Sequence, residues 1–210
     1  MSTKQKLRSE ETKQAILSAA GKMFSDRGFN VVTMREIAKE AGCSHTTIYI
    51  YFKDKEELLH ELSMPPLLEL KQRFDYLASQ NEISPEFKLR EISMEFIRFC
   101  LLNKSMYSMF FITKGTSVDE IEPELAINKL RIELFKLIGQ GLQTCLLLQS
   151  TDDRLLKFNR IYFFLLHGIV STYSHSEESL QEMMIRLSST FEESFETLLL
   201  GFKLKIANGG

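Results

Sequence analysis

The chain has 210 residues, a formal net charge of -2 and a pI near 6.1, enough length for a sizeable core in one large domain or in a small domain attached to a larger one. The near-neutral balance excludes a protein that coats nucleic acid over its whole surface. Only 4 prolines and 10 glycines, with no tryptophan, stand beside many Leu, Phe, Met, Glu and Lys residues, which favours an all-α fold over sheet. Charge is uneven along the chain: Lys4, Lys6, Arg8, Lys13, Lys22, Arg27, Arg35, Lys39, Lys53 and Lys55 outnumber the acids of residues 1–55, so any DNA contact belongs at the N-terminal end. Cys43, Cys100 and Cys145 are odd in number, far apart and without metal-type spacing, which argues against a disulfide framework or zinc site and fits a reducing cytoplasm. MSTKQKLRSEE lacks the apolar core of a signal peptide, and the longest apolar run, Ile161 to Leu166, is too short to span a bilayer. No membrane association, metal or other cofactor is expected.

The first helix is predicted from about Ser9 to Arg27. Ser9 is its potential cap, Glu10 and Glu11 meet the positive end of its dipole, and Ile16, Ala19, Ala20, Met23 and Phe24 form an apolar stripe. Gly28 suits a left-handed stop. Thr33-Met34-Arg35-Glu36 has capping-box spacing, with Val32 and Ile37 as a staple, and sets a second helix at about Met34 to Ala41. Ala41-Gly42-Cys43 then forms a three-residue turn, after which Ser44 caps a third short helix through Tyr51. Two short helices joined in this way make a helix-turn-helix. Asp54-Lys55-Glu56-Glu57 is a second capping box that opens a connecting helix over 54–66, which Pro65 and Pro66 are expected to kink or end.

Beyond Pro66, amphipathic helices are expected at about 67–79, 85–103, 105–113, 122–149, 152–175 and 178–203, with no persistent β alternation. Residues 161–170 are apolar nearly all round and predict a helix buried on several sides. Leu180, Met184, Leu187, Phe191, Phe195, Leu198 and Phe202 recur every three or four residues. Two final amphipathic helices from each of two subunits could bury such faces around a two-fold axis, and the first six of these residues are the candidate dimer interface. Intramolecular core is the other reading of the same stripe.

Thr33-Met34-Arg35-Glu36-Ile37-Ala38-Lys39-Glu40-Ala41-Gly42-Cys43-Ser44, followed by Thr47-Ile48-Tyr49-Ile50-Tyr51-Phe52-Lys53-Asp54-Lys55-Glu56-Glu57-Leu58, closely resembles the TetR/AcrR family of transcriptional regulators. With the preceding Phe24 to Phe29 segment, the resemblance covers roughly the first sixty residues. It implies a three-helix helix-turn-helix DNA-binding domain over 1–53 and a larger helical domain over 54–210 for effector binding and dimerisation. Physically, a recognition helix needs an exposed face that reaches base edges and an apolar face that docks on its neighbours. His45, Thr46, Thr47 and Tyr49 suit the first role, and Ile37, Ala38, Ile48 and Phe52 suit the second. The resemblance places His45, Thr46, Thr47 and Tyr49 against the bases of double-stranded operator DNA, and Thr33, Tyr51, Lys53 and Lys55 against phosphates. Each has a plainer reading: Tyr49 as core, His45 as solvated surface, and Lys53 and Lys55 as surface charge. Lys4 to Arg8 reads as surface charge, with a flexible arm reaching the minor groove as the alternative.

The resemblance further implies an effector pocket among the middle helices. Met106, Tyr107, Met109, Phe110 and Phe111 lie in one segment, and Phe96, Phe99, Tyr162 and His167 lie elsewhere. The pocket candidates are Phe96, Phe99, Met106, Tyr107, Phe110, Tyr162 and His167, each of which is also a natural core residue. The expected function is a homodimeric repressor, released from a palindromic operator by a small, largely apolar effector. A helical dimer that acts through protein partners without specific DNA binding is the alternative. An enzyme is not expected: Glu57-Leu58-Leu59-His60 has the spacing of a helical di-iron half-site but no second copy, and Gly139-Gln140-Gly141 follows no strand.

Overall fold

The computed structural model describes residues 3–107 and 126–209, and these are helical with no strand among the described residues. They form two compact units, residues 3–67 with 103–107, and residues 68–102 with 126–209. Met109, Phe110 and Phe111 lie outside the described residues. None of the described helices is long and apolar enough to cross a membrane.

The first unit holds α1 (Thr3–Arg27), α2 (Met34–Glu40), α3 (His45–Tyr51), the start of α4 (Lys55–Ser79) and the short α6 (Lys104–Tyr107). α1 begins six residues before the expected cap at Ser9, because Lys, Gln, Leu and Arg over 4–8 all favour helix. It stops where Gly28 takes φ +81° and its N–H donates to the Phe24 carbonyl at 3.0 Å. Ile16, Ala20, Phe24, Val32, Ile37, Ile48, Phe52 and Leu58 form the core of this unit, each at most 2% exposed. α6 packs on α1 and buries Met106 and Tyr107 in the same unit.

The expectation that Pro65 and Pro66 kink or end the connecting helix is corrected in part: α4 continues as one helix through both prolines to Ser79. Proline keeps a helix-compatible φ, but it lacks the N–H of one helical bond and its ring crowds the carbonyl four residues back. Leu67, Leu70 and Phe74, each at most 2% exposed, give the residues beyond the prolines a packed face.

The second unit packs α5 (Pro85–Leu102), α7 (Ala126–Leu146), α8 (Asp153–Tyr173) and α9 (Leu180–Ala207) on one another, together with α4 from Leu68 onward. Ser179 and Glu182 form a full capping box at the start of α9. The side of α9 that turns inward carries Met183, Phe191, Phe195, Leu199 and Phe202. Phe202 stacks on Phe158 with ring centroids 4.4 Å apart, Phe195 meets Tyr162 at 6.0 Å, and Phe191 meets Tyr173 at 5.8 Å. Of the candidate interface residues, Phe191 and Phe195 therefore lie in the core of their own unit, while Leu180, Met184, Leu187 and Leu198 are half-buried. α8 buries Phe158, Tyr162, Phe163, Leu166 and Val170, while one side stays open at Phe164, which is 64% exposed. Leu200 and Leu204 of α9 are 62% and 64% exposed, on the side opposite its buried aromatics.

Candidate nucleic-acid interface

The helix-turn-helix is built from local hydrogen bonds that its sequence prescribes. The Thr33 hydroxyl accepts from the Glu36 amide at 3.3 Å and donates to Glu36 Oε2 at 2.7 Å, and Glu36 Oε2 also accepts from the Thr33 amide at 2.9 Å. Arg27 reaches the other carboxylate oxygen at 2.8 Å. With the Thr33 hydroxyl as the strongest influence, then Arg27 and the Thr33 amide, the Glu36 carboxyl is pulled down to about 2. At the far end of α2, Cys43 N–H donates to the Ala38 carbonyl at 2.9 Å and Gly42 N–H to the Lys39 carbonyl at 3.2 Å. That pair of bonds is a Schellman stop, and it needs the left-handed φ of +69° that Gly42 supplies. Ser44 then caps α3, its Oγ accepting from the Thr47 amide at 3.0 Å and lying 2.8 and 2.7 Å from the Thr46 and Thr47 hydroxyls.

Ile48, fully buried, anchors α3 to the unit, so the opposite face is turned outward. At 100° per residue, Thr46 and Ile50 lie nearest the centre of that face. Thr46 is exposed and Ile50 is 78% exposed. His45 and Tyr49 occupy one flank as an edge-to-face pair with ring centroids 5.2 Å apart, and Tyr49 is 48% exposed. Thr47 and Tyr51, both half-buried, occupy the other flank, where the Tyr51 hydroxyl lies 3.2 Å from Ser9 Oγ of α1. Thus His45, Thr46, Thr47 and Tyr49 share one short helix, and Ile50 joins them. Sequence reasoning passed over Ile50, although the helical spacing from Thr46 places the two on one face.

The expected phosphate-contacting groups differ in availability. Both Thr33 donors are engaged by Glu36. Lys53 is exposed, and its amide donates to Glu57 Oε2 at 2.6 Å while Asp54 Oδ1 accepts from the Glu57 amide at 2.8 Å. The second box therefore forms with its glutamate reaching one residue further back than the usual pattern. Lys55 Nζ donates to the carbonyls of Phe29 and Val32 at 2.7 and 2.8 Å and sits 4.4 Å from the Phe29 ring centroid. Two of an ammonium's three protons are thereby committed to the loop between α1 and α2.

The effector candidates do not all fall in one unit. Met106 and Tyr107 belong to the first unit, Phe110 lies outside the described residues, and Phe96, Phe99, Tyr162 and His167 belong to the second. There His167 lies 5.7 Å from Phe96 and 4.2 Å from Phe163 between ring centroids. Burial, reinforced by the charge of Arg131, pushes the His167 imidazole down to about 4. Arg131 is itself 5% exposed and donates to Asn128 Oδ1 at 3.1 Å. Tyr162, fully buried, shares a hydrogen bond with Ser93 at 2.8 Å and borders a cavity of about 340 Å³ between the start of α5 and the end of α9. A wider groove of about 780 Å³ runs between α7 and α8, beside Phe135, Gly139, Leu156 and Asn159.

Residues 16–62 match the family described as bacterial regulatory proteins, tetR family. The HTH-type transcriptional regulator YhgD of Bacillus subtilis is 43% identical over 65 residues, 31% of this chain and 34% of that protein. The HTH-type transcriptional regulator AcrR of Shigella flexneri is 42% identical over 62 residues, 30% of this chain and 29% of that protein. These alignments span about a third of the curated relatives' length. Over nearly the whole length the fold is that of FadR from Thermus thermophilus, a TetR-family repressor solved with lauroyl-CoA. Its TM-score is 0.57 at 21% identity, covering 90% of this chain and 93% of that one.

Proposed function

We propose, on the premise that this chain belongs to the TetR/AcrR family, that it is a DNA-binding repressor that holds a palindromic operator as a homodimer and is released by a small, largely apolar effector. The observation that carries this reading is the exposed face of α3. Thr46 and Ile50 lie at its centre, His45 and Tyr49 on one flank, and Thr47 on the other, on a helix held by capped, hydrogen-bonded ends. Thr, His and Tyr offer hydrogen bonds to base edges, and Ile50 offers apolar contact to a thymine methyl in the major groove. Tyr51, Lys53 and the third proton of Lys55 serve the phosphates. Thr33 acts first as the cap of α2 and contacts a phosphate only by sharing a donor with Glu36.

In this reading residues 1–53 carry the DNA contact and residues 54–210 carry dimerisation and effector binding. Phe191 and Phe195 are committed to the core, so the proposed subunit contact moves to exposed apolar residues of the last two helices, Phe164 of α8 and Leu200 and Leu204 of α9. The lauroyl-CoA solved with the Thermus thermophilus protein joins a long apolar acyl chain to a charged carrier, and its acyl chain supports an effector with an apolar part. Such a ligand weakens operator binding by preferring the conformation with poorly spaced recognition helices.

The test is selection of duplex DNA from a random pool at physiological salt with the wild type and with Tyr49→Ala. A two-fold-symmetric consensus that the variant does not enrich is the expected result. No enrichment by a folded wild-type dimer would refute the reading. Lys55→Ala makes a poor first variant, because it also removes two hydrogen bonds to the α1–α2 loop.

A further inference from the structure

Between the start of α5 and the end of α9 the second unit has a cavity of about 340 Å³. Its size lies at the small end of the range for ligand pockets and suits a molecule of roughly ten non-hydrogen atoms at about 30 Å³ each. The wall is apolar along Leu89, Tyr162, Phe195 and Leu199, all of them buried. Glu86 and Lys203 meet at 2.9 Å from the two helices and stand half exposed at the rim. Phe96 and His167, whose ring centroids lie 5.7 Å apart, are not part of this lining.

Arg90, in the same wall, lacks hydrogen-bond acceptors. A guanidinium has five N–H donors, and among the described residues none of those on Arg90 makes a hydrogen bond, although its Nε is fully buried. The group lies 4.6 Å from the ring centroid of Phe87, which also lines the cavity. The Glu91 and Glu192 carboxylates approach it at 3.6 and 3.7 Å, near enough to balance its charge but too far to accept a hydrogen bond. Donors beside it are already engaged, the Tyr162 hydroxyl with Ser93 at 2.8 Å and Lys203 with Glu86. A partly buried donor without an acceptor is unfavourable, and an acceptor that enters with a ligand removes that cost. Arg90 needs an acceptor atom rather than a countercharge. Four carboxylates, Glu86, Glu91, Glu192 and Glu196, stand here beside two cations, Arg90 and Lys203. A further anion meets net repulsion, whereas a neutral carbonyl oxygen does not.

We propose that this cavity binds a small neutral molecule that joins a carbonyl oxygen to an apolar chain, with Arg90 donating to the oxygen and Leu89, Phe195 and Leu199 covering the chain. This names the chemical class of the effector in the function proposed above, and it rests on that reading only for the effect on DNA. Contact with the Phe87 ring restrains the guanidinium before a ligand arrives, so less side-chain freedom is lost on binding.

The test titrates the full chain with heptyl methyl ketone, nonanoate and butylbenzene, which are similar in size and carry a neutral acceptor, an anionic acceptor and no carbonyl. Methyl NMR spectra give the affinities and place each ligand through its contacts with Leu89 and Leu199. The ketone is expected to bind about tenfold or more tightly than butylbenzene, the usual worth of a hydrogen bond to a charged donor, and also more tightly than nonanoate. Arg90→Met keeps an apolar stem over Phe87 and removes the donors. It should lower the ketone to the affinity of butylbenzene and leave butylbenzene unchanged, which shows the cavity intact. The order of the three probes on the wild type decides the proposal even where that variant does not fold. Nonanoate as the tightest probe would overturn the neutral class. Equal affinities for ketone and butylbenzene, an unchanged ketone affinity in folded Arg90→Met, or contacts away from Leu89 and Leu199 would overturn the site. In fluorescence anisotropy, saturating ketone should lower operator affinity about fivefold or more, and an unchanged affinity in a wild type that binds operator would overturn the effector role. Failure of the wild type to bind any duplex would sink the reading of α3 and the effector role with it, while the binding measurement, made without DNA, stands.

Discussion

Removing the Ser93 hydroxyl should destabilise the protein more than removing the Tyr162 hydroxyl, although the two share one hydrogen bond. Ser93 Oγ donates to the Leu89 carbonyl at 2.7 Å, which uses its only proton, so Tyr162 must be the donor in the 2.8 Å bond between the hydroxyls. Both residues are fully buried. Tyr162→Phe deletes that donor and leaves Ser93 still bonded to Leu89, a loss of about 0.5–1.5 kcal/mol. Ser93→Ala strands the phenol without its acceptor, which costs about 1–3 kcal/mol because the hydroxyl has been taken out of water for no return. The double variant Ser93→Ala/Tyr162→Phe should be no less stable than Ser93→Ala alone, since the second change removes the orphaned group. Urea unfolding of the four proteins measures the cycle. At this chain length a loss of about 2 kcal/mol corresponds to a Tm lower by roughly 4–8 °C. A Tyr162→Phe cost equal to or greater than that of Ser93→Ala would refute the assignment of donor and acceptor.

His167 titrates at about 4, below its unfolded value near 6.5, so the unfolded chain binds the extra proton first and stability should fall as pH drops from about 6.5 towards 4. Unfolding measured against pH should lose that component in His167→Gln, and an identical profile would count against it. Leu147 follows α7 with φ 53° and is 91% exposed, so Leu147→Gly relieves a left-handed side chain without losing packing. A gain of about 0.5–1 kcal/mol is expected in urea unfolding, and a loss would show that the residue is not strained. Ile50→Glu should leave stability within about 0.5 kcal/mol, because the side chain is exposed, while operator affinity in an anisotropy titration falls at least tenfold. Equal affinity would remove α3's central apolar contact from the proposed interface.

Features decided within a few residues were legible in the sequence. The Thr33–Glu36 box, the Gly42 turn and the Ser44 cap each depend on side chains close to the backbone they satisfy, and all three bonding patterns are present. The beginning of α1 was misjudged because Ser9 can cap a helix, yet its hydroxyl faces Tyr51, a partner 42 residues away. The apolar period of α9 marked a buried face but could not identify what buries it. Phe158, Tyr162 and Tyr173 do so for the aromatic residues, while Leu200 and Leu204 form a separate outward set. The candidate pocket was the least legible, because buried aromatics look alike in sequence whichever unit they pack in. Met106 and Tyr107 fill the first unit, whereas Phe96 and His167 meet in the second.

Lys55 has a consequence for how an anion would be received. A solvent-exposed lysine swings through many rotamers and must surrender that freedom, on the order of 2 kcal/mol, when it grips a partner. Here two backbone carbonyls and an aromatic ring already hold the ammonium in place. Its positive charge is a fixed feature of the folded surface, and docking need not freeze the side chain. Lys55→Arg would keep the charge yet lose this arrangement, because a flat guanidinium fork cannot direct two donors at both carbonyls and a third outward as a tetrahedral ammonium does.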